Sequence, residues 1–342
     1  MPESSMKISK AKKINNEWKK YFTTKEISAN HDYSFNFKNS NWYVTIIYLV
    51  IFLAIPIIYS LVKIYGYHVT LGPDNKLPSP WNNLEIVLTL FLPILGAGLA
   101  FAVDWKVMTK RGGWAAYTHF LFGIISAFFV SLLLIRTGAV SGNKNDPVYL
   151  AASFLVQVVV QFIGSLIVIF TNKSLRKHIV ATFKEAKVDL LVWVLIFLAL
   201  VSILNFVFNA ISNTVNSNIL ANDASSSENQ KQLEMMARTP FGAFALILCS
   251  IFLAPINEEI SYRYGIFSIV RHKWIAYSAS LIYFPAMHVI SSGDWNNIFG
   301  YLGMGIMVPL LFICARGNTT YSVGLHMLWN TIATITLFAT MK

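Results

Sequence analysis

Residues 190–208 read LLVWVLIFLALVSILNFVF, an apolar run without a charged side chain. A helix must present about 20 mostly apolar residues to cross the hydrocarbon core of a bilayer. Further segments of the chain pass the same test, and together they predict nine crossings. The predicted segments are 43–65, 84–103, 115–136, 149–171, 188–212, 241–270, 274–291, 297–315 and 320–340. We therefore expect an all-α protein, a polytopic transmembrane helical bundle of about eight or nine helices.

The composition agrees with a membrane protein. Of the 342 residues, 55% are hydrophobic and only 13% are charged, and soluble domains carry roughly twice that charge. The formal net charge is +11, but no nucleic-acid-binding motif accompanies it. Cys249 and Cys314 lie inside apolar stretches and imply no disulfide framework. The expected partners are the lipid bilayer and a peptide or membrane-protein substrate, with no nucleic acid; the oligomeric state is left open.

The placement of the basic residues predicts an orientation. The chain before Trp42, the loops 104–114 and 173–187, and the turns around Arg271 and Arg316 fall on one side of the nine-span arrangement. Loops rich in lysine and arginine remain cytoplasmic. We therefore predict a multi-pass protein of the cell membrane with a cytoplasmic N-terminus and an external C-terminus.

The same pattern divides the chain into four parts. Residues 1–42 form a basic cytoplasmic tail, which either lies on an anionic lipid surface or is solvated. Residues 43–212 hold the N-terminal transmembrane helices. Residues 213–240 are rich in asparagine and serine and are interpreted as an external polar loop. Residues 241–342 carry the candidate catalytic core.

Ionisable residues inside apolar segments point to function, because a charge in the bilayer core is costly unless it is paired or hydrated. Residues 251–263 read IFLAPINEEISYR. Glu259 and Arg263 are four residues apart, share one helical face and can pair. Glu258 lies about 100° round the helix from Glu259, so it is outside this pair and can interact with another group.

Two later segments add further polar groups. Phe284 and His288 lie one turn apart in one predicted helix, and His326 and Asn330 lie one turn apart in the last. Alone, each group has a structural reading as an interhelical hydrogen-bonding or packing residue. The polar residues of earlier spans, His119, Gln157 and Gln161, are given only that structural reading.

A carboxylate, two imidazoles and a carboxamide can hydrolyse an amide. One group takes a proton from water, and donors hold the developing oxyanion. The same groups offer a catalytic zinc set, although no His-Glu-x-x-His motif is present. The possible metal ligands are Glu258, His288 and His326.

Taken in order, Glu258-Glu259-x-x-x-Arg263, Phe284-x-x-x-His288 and His326-x-x-x-Asn330 resemble the motifs of a known family. This is the CPBP or Abi family, which includes CAAX prenyl endopeptidases and bacteriocin-processing or immunity proteins. The resemblance covers roughly the last hundred residues of the chain.

The resemblance implies catalytic roles. By analogy, Glu258 with His288 activates the attacking water, and His326 with Asn330 stabilises the tetrahedral oxyanion. Members of the family are described both as metal-dependent and as glutamate-based, so the use of metal is left open. The positions that match supporting residues are Glu259, Arg263 and Phe284.

The leading hypothesis is an intramembrane endopeptidase that cleaves a small or membrane-associated peptide. It predicts a water-filled cavity among the last four helices, opening to the cytoplasmic side. Two alternatives stay open: a non-catalytic membrane immunity or regulatory partner that keeps the fold, and a proton-coupled transporter.

Overall fold

The computed structural model describes residues 22–29, 37, 40–67, 81–137, 146–218, 227–290 and 292–341. Within these ranges every regular element is a helix, so the predicted all-α polytopic bundle is confirmed. The longer helices are α1 Trp42–Gly66, α2 Asn83–Val103, α3 Trp105–Lys110, α4 Thr118–Thr137, α5 Pro147–Thr171, α6 Lys173–Glu185, α7 Lys187–Asn218, α8 Glu228–Ala237, α9 Pro240–Ile269, α10 Lys273–Val289, α11 Phe299–Cys314 and α12 Thr319–Thr340.

Seven of the described helices are long and apolar enough to cross a membrane. These are α1, α2, α4, α5, α7, α9 and α12. The other two predicted segments also form helices, but α10 has 17 residues and α11 has 16. At a rise of 1.5 Å per residue each is about 25 Å long, shorter than the hydrocarbon core of about 30 Å. A crossing by α10 and α11 therefore stays a prediction.

The basic segments predicted on one side come together in the structure. The Tyr264 hydroxyl donates to the carbonyl oxygen of Arg111 at 3.1 Å, and the Asn318 amide donates to the Thr182 hydroxyl at 2.6 Å. These contacts join α9 to α3 and α12 to α6, and Asn172, which caps α6, donates to the Tyr264 hydroxyl of α9. The four helix ends therefore form one surface, called here the basic face. Its basic side chains include Arg111, Lys173, Lys184, Arg271 and Arg316.

The opposite ends of the helices form a second surface, called here the distal face. The Tyr65 hydroxyl donates to Asn296 Oδ1 at 3.0 Å, and the Ser212 hydroxyl donates to the carbonyl oxygen of Asn296 at 3.4 Å. The Glu228 backbone N–H donates to the Asp294 carboxylate at 2.9 Å. The distal face therefore holds the C-terminal ends of α1 and α7, the start of α8 and residues 292–298.

Two lysines of the distal face are neutralised by nearby carboxylates. Lys63 Nζ lies 3.2 Å from Glu85, and Lys231 Nζ lies 2.6 Å from Glu228. The difference in charge between the two faces has the sense that the positive-inside rule requires. The cytoplasmic assignment of the basic face stays a prediction.

Part of the predicted basic tail, residues 22–29, packs against the basic face. The Thr24 N–H donates to the carbonyl oxygen of Cys314 at 3.1 Å, and the Lys25 N–H donates to the Asp189 carboxylate at 3.1 Å. Ser28 donates to Glu185 from its backbone N–H, and the Ser28 hydrogen bonds lower the pKa of that carboxyl. Residues 1–21, to which the lipid-surface hypothesis also applies, lie outside the described residues.

The segment 213–240 differs from the predicted external loop. Helix α7 continues to Asn218, and α8 spans Glu228–Ala237. The Ser227 side chain accepts from the Gln230 N–H and caps α8. Polar composition suggested a loop, but a capped amphipathic helix is equally polar when one of its sides faces water. Residues 219–226 lie outside the described residues.

Helix α9 packs unusually closely on the short 3-10 helix Gly113–Tyr117 at the basic face. A Cβ atom at Gly265 would lie 2.2 Å from the backbone nitrogen of Ala116. Small residues permit such close backbone approach between membrane helices. Gly265 therefore positions the end of α9 that follows Arg263.

We expect Gly265→Ala to destabilise the purified protein by about 1–3 kcal/mol, because backbone atoms must shift to admit the methyl group. The measurement is thermal unfolding in detergent. Gly98→Ala in α2 is the matched control, since nothing lies within 4 Å of the point that its methyl group would occupy. Equal thermal shifts for the two variants would contradict the close contact.

Candidate active site

Helix α9 carries the first motif on a helix of mixed geometry. Two π-helical segments, Ile247–Leu253 and Ile260–Gly265, flank the α-helical turn Ala254–Glu259. Pro255 lies at the start of that turn and donates no backbone hydrogen bond. Such local changes in winding are frequent at functional sites. Here they accompany the Glu258–Glu259 pair.

Glu259 is the buried anchor of the site. Its Oε1 lies 3.0 Å from Arg263 Nη1, and both side chains are 0% exposed, which confirms the predicted pairing. The same Oε1 lies 2.8 Å from His326 Nδ1. The Glu259 carboxylate therefore joins α9 to α12 and orients the His326 ring.

Glu258 points away from that pair. Its side chain is 15% exposed, and its Oε2 lies 4.0 Å from His326 Nε2. This oxygen is buried and has no hydrogen-bond partner among the described residues. A buried carboxylate oxygen without a donor is costly, so Glu258 is available to a water or a substrate.

His288 is oriented by its own helix. Its Nδ1 lies 2.8 Å from the carbonyl oxygen of Phe284, which can only accept, so Nδ1 carries a proton. In the neutral ring Nε2 is then a proton acceptor. The ring stacks on Tyr301 of α11 with centroids 4.4 Å apart, and this contact fixes its plane.

Phe284 packs between the charged and imidazole groups. The Arg263 guanidinium lies over its ring at 4.8 Å from the centroid, within the range of a cation–π contact. The His326 ring meets it edge-on with centroids 5.6 Å apart. The Phe284 and His288 ring centroids lie 4.7 Å apart. Phe284 therefore covers the buried charge pair and contacts both candidate imidazoles.

Asn330 is tied to α9 one turn beyond His326. Its Nδ2 donates to the carbonyl oxygen of Ser250 at 2.8 Å. A carboxamide nitrogen carries two hydrogens, so one donor is left for another acceptor.

The three motifs share one cavity of about 490 Å³. Glu259 and Arg263 do not line it and lie behind Glu258 and Phe284. The predicted convergence of an acid, two imidazoles and a carboxamide is therefore present in the structure. The motif residues that line the cavity are Glu258, Phe284, His288, His326 and Asn330.

The cavity extends further than the last four helices. Side chains of α4, α5 and α8 also line it, including His119, Gln157 and Gln232. The lining reaches Gly300 at the start of α11 and Leu337 near the end of α12, both at the distal face. This differs from the predicted opening at the cytoplasmic, basic side. The cause is packing: toward the basic face, residues 260–269 of α9 are all buried.

A group of neutral polar residues outside the three motifs lies beside Glu258. Asn257 Nδ2 lies 3.3 Å from His119 Nδ1 and 3.4 Å from Gln161 Oε1. The Ser165 hydroxyl donates to Asn257 Oδ1 at 3.0 Å. The structural reading of His119 and Gln161 as interhelical hydrogen-bonding residues is thus confirmed, but both also line the cavity.

A sequence signal for this group exists on α5. Gln157, Gln161 and Ser165 follow at intervals of four residues and so form one polar stripe. A stripe of this kind in an apolar helix faces the bundle interior rather than lipid. His119 has no comparable signal, because it stands alone in an apolar helix.

The possible zinc set stays a prediction. Among the described residues, no three His, Cys, Asp or Glu side chains are placed to hold one metal ion. His326 Nδ1 is held by Glu259 and His288 Nδ1 by a carbonyl oxygen; this leaves the Nε2 atom of each ring available, as it is in metal-ligating histidines.

Comparison with protein families identifies the segment that holds the cavity motifs. Residues 240–332 match the family described as type II CAAX prenyl endopeptidase Rce1-like. This segment is similar to the Rce1-like family. The Rce1-like segment contains every motif residue from Glu258 to Asn330, and it runs from the start of α9 into α12.

The resemblance to a relative extends over nearly the whole chain. An uncharacterised protein of Mycoplasma capricolum subsp. capricolum is 28% identical over 338 residues, which cover 94% of this chain and 97% of that protein. No solved structure matches the chain. The sequence that precedes the Rce1-like segment is therefore also similar to that relative, whose description gives no substrate.

The similarity of residues 240–332 to a peptidase family supports a peptidase in general, embedded in a membrane by several apolar helices. The family match does not assign roles to single residues. The catalytic roles of Glu258, His288, His326 and Asn330, and the supporting roles of Glu259, Arg263 and Phe284, stay predictions.

We expect Glu259→Ala to lower the free energy of unfolding by about 3–5 kcal/mol, because it leaves the Arg263 guanidinium buried without its partner. The double replacement Glu259→Leu with Arg263→Met should recover most of this loss, since it removes both charges. Cleavage should stay low in both variants because His326 loses its anchor. Thermal unfolding and peptide cleavage are measured together; recovered cleavage in the double variant would contradict the anchoring role.

Proposed function

We propose that this protein is an intramembrane endopeptidase that hydrolyses a peptide bond in a small or membrane-associated polypeptide. The observation that carries the proposal is the Glu258 carboxylate, which faces a cavity shared with two imidazoles and lacks a hydrogen-bond donor among the described residues. Its position within an Rce1-like segment supports the same reaction class.

In the first step, Glu258 takes a proton from a water held between its carboxylate and His288. The His288 Nε2 accepts a second hydrogen bond from that water, because its Nδ1 donates to the carbonyl oxygen of Phe284. The hydroxide attacks the carbonyl carbon of the substrate, and a C–O bond forms as the carbonyl oxygen becomes an oxyanion. A positioned base of this kind contributes roughly 10²–10⁴-fold to the rate.

The oxyanion is stabilised by donors from α12. Asn330 uses the N–H that is not donated to Ser250. His326 adds its Nε2 N–H when both ring nitrogens carry a proton, since the Nδ1 proton is directed at Glu259. Such preorganised donors stabilise the tetrahedral intermediate more than the substrate. When the intermediate collapses, the C–N bond breaks and Glu258 returns its proton to the leaving amine.

We expect Glu258→Gln to lower cleavage by roughly 10²–10⁴-fold, because the carboxamide cannot accept the proton of water. Thermal stability should be unchanged or higher, since the variant removes a buried negative charge. The measurement is cleavage of a quenched fluorogenic peptide pool by purified protein in liposomes.

Glu234→Gln in α8 is the matched control and should cleave normally, because Glu234 does not line the cavity. Normal turnover by Glu258→Gln would remove Glu258 from the mechanism. If a cellular immunity phenotype survives Glu258→Gln while no peptide is cleaved, the protein is instead a non-catalytic partner.

Chelation tests the metal prediction. Because the proposed mechanism activates water with Glu258 and His288 alone, we expect cleavage to persist after incubation with EDTA and metal analysis to find less than one ion per chain. Loss of cleavage with EDTA, restored by zinc, would show that the reaction depends on a metal. A sample of the protein diluted in the same buffer without EDTA is the control, and it excludes a loss of cleavage caused by dilution.

A further inference from the structure

The His288 ring is restrained on one side by its own helix and on the other by α11. Its Nδ1 lies 2.8 Å from the carbonyl oxygen of Phe284, one turn earlier in α10. The torsion that rotates an imidazole about its Cβ–Cγ bond has broad minima, so one hydrogen bond leaves the ring free to pivot. The stacked ring of Tyr301, with centroids 4.4 Å apart and planes inclined by 29°, supplies the second restraint. Tyr301 therefore decides the direction in which the His288 Nε2 atom points.

The hydroxyl of Tyr301 is bound to the start of α8. Asn229 Nδ2 donates to this hydroxyl at 3.3 Å, and Ser227 Oγ lies 3.1 Å from it. Ser227 is also the N-cap of α8, since its hydroxyl oxygen accepts from the Gln230 N–H at 3.2 Å. A single phenol thus contacts a candidate catalytic imidazole with its ring and the first turn of α8 with its oxygen.

A second contact holds the same turn of α8 beside His288. The Glu228 N–H donates to the Asp294 carboxylate at 2.9 Å, and Asp294 also accepts from Asn297 Nδ2 at 2.6 Å. Asp294 lies between α10 and α11 in the chain, so α8 is docked where the helix that carries His288 ends. Residues 228–230 of α8 line the same cavity as His288.

We propose that Tyr301 is a positioning residue, which holds the His288 ring in its plane and makes that plane depend on the docking of α8. The proposal rests on the proposed peptidase function, in which His288 Nε2 accepts a hydrogen bond from the attacking water. Helix α8 lies outside residues 240–332, the segment that is similar to the Rce1-like family. An element that the family match does not cover therefore helps to orient a candidate catalytic group.

Two replacements of Tyr301 separate the roles of its ring and its hydroxyl. Tyr301→Phe retains the ring and removes the bonds to α8, so kcat should fall about tenfold, whereas Tyr301→Leu also removes the stacked ring and should lower kcat about 10²-fold. The loss should appear in kcat rather than in KM, because the reacting group is misplaced while the cavity persists. The measurement is steady-state cleavage in liposomes of one peptide from the quenched fluorogenic pool, with thermal unfolding recorded for each variant.

Tyr277→Phe is the matched control. The Tyr277 hydroxyl also joins α10 to α11, by donating to the carbonyl oxygen of Ile306 at 3.3 Å, but Tyr277 does not line the cavity. This variant should keep its kcat. An unchanged kcat in Tyr301→Leu would overturn the positioning role. If Tyr301→Leu does not fold, an unchanged kcat in Tyr301→Phe overturns the coupling to α8.

The coupling is tested from the α8 side by Asn229→Ala. This replacement removes a donor to the Tyr301 hydroxyl without altering the Tyr301 ring, and it should lower kcat severalfold. Its effect on kcat should disappear in the Tyr301→Phe background, because both replacements break the same bond. Effects on kcat that multiply in the double variant would overturn the coupling.

Lys231→Ala is the matched control on α8 and should keep its kcat. It breaks the ion pair of Lys231 with Glu228, and Lys231 does not line the cavity. A loss of kcat in Lys231→Ala as large as that in Asn229→Ala would show a general effect of loosening α8, and the specific role of Tyr301 would be overturned.

A chemical measurement of His288 needs no turnover. Diethylpyrocarbonate acylates an unprotonated imidazole nitrogen, which the neutral His288 ring offers at Nε2, and mass spectrometry gives the rate at each histidine of the intact protein. In Tyr301→Phe and Asn229→Ala the rate at His288 should rise severalfold, because the ring and the adjacent turn of α8 are less restrained. His272, exposed between α9 and α10, is the internal reference and should react at an unchanged rate. An unchanged rate at His288 would overturn the coupling.

The two measurements separate this proposal from the proposed function. If the variants raise the reactivity of His288 but the unmodified protein cleaves no peptide, Tyr301 positions the ring and the peptidase proposal fails. If the unmodified protein cleaves peptide but no replacement of Tyr301 changes kcat or the reactivity of His288, the peptidase proposal stands and the positioning role of Tyr301 fails.

Discussion

A single buried carboxylate organises the site. Glu259 forms an ion pair with Arg263 on its own helix and accepts a hydrogen bond from His326 on α12. In a bilayer neither the guanidinium nor the carboxylate is stable alone, because an unpaired charge costs several kcal/mol in the hydrocarbon core. The ion pair lies within α9, and the hydrogen bond from His326 to Glu259 joins α12 to α9 at this depth. The meeting brings His326 to within 4.0 Å of Glu258, and the other motif residues are arranged around that contact.

The neutral polar groups around Glu258 have a different structural role from the Glu259–Arg263 ion pair. Asn257 is bound to His119, Gln161 and Ser165, so α4 and α5 are tied to the turn that carries the acid. Each of these groups would be costly if left unsatisfied. Their network keeps Glu258 in place without neutralising it. The arrangement separates a charge held for structure, at Glu259, from a charge left available for chemistry.

Much of the helical bundle follows from local sequence. Every predicted apolar segment is helical, and the i,i+4 spacing of Glu259 and Arg263 leads to an ion pair because α-helical geometry fixes neighbours at that interval. Two features could not be predicted from local sequence. The polar segment 213–240 contains α8, since composition does not separate a capped surface helix from a loop. The lining by α4 and α5 depends on long-range packing that no local pattern records.

The amino-acid sequence by itself determined the all-α class, the apolar segments, the grouping of basic loops on one face and the motif residues that converge, because these depend on hydrophobicity, charge and helical period. Only the tertiary structure decided that Glu259 rather than Glu258 binds His326, that neutral residues of α4 and α5 complete the cavity, and that its lining reaches the distal face. Those features arise from the packing angles and relative heights of separate helices. Helical rise along one chain segment does not specify them, because each depends on where two distant segments touch.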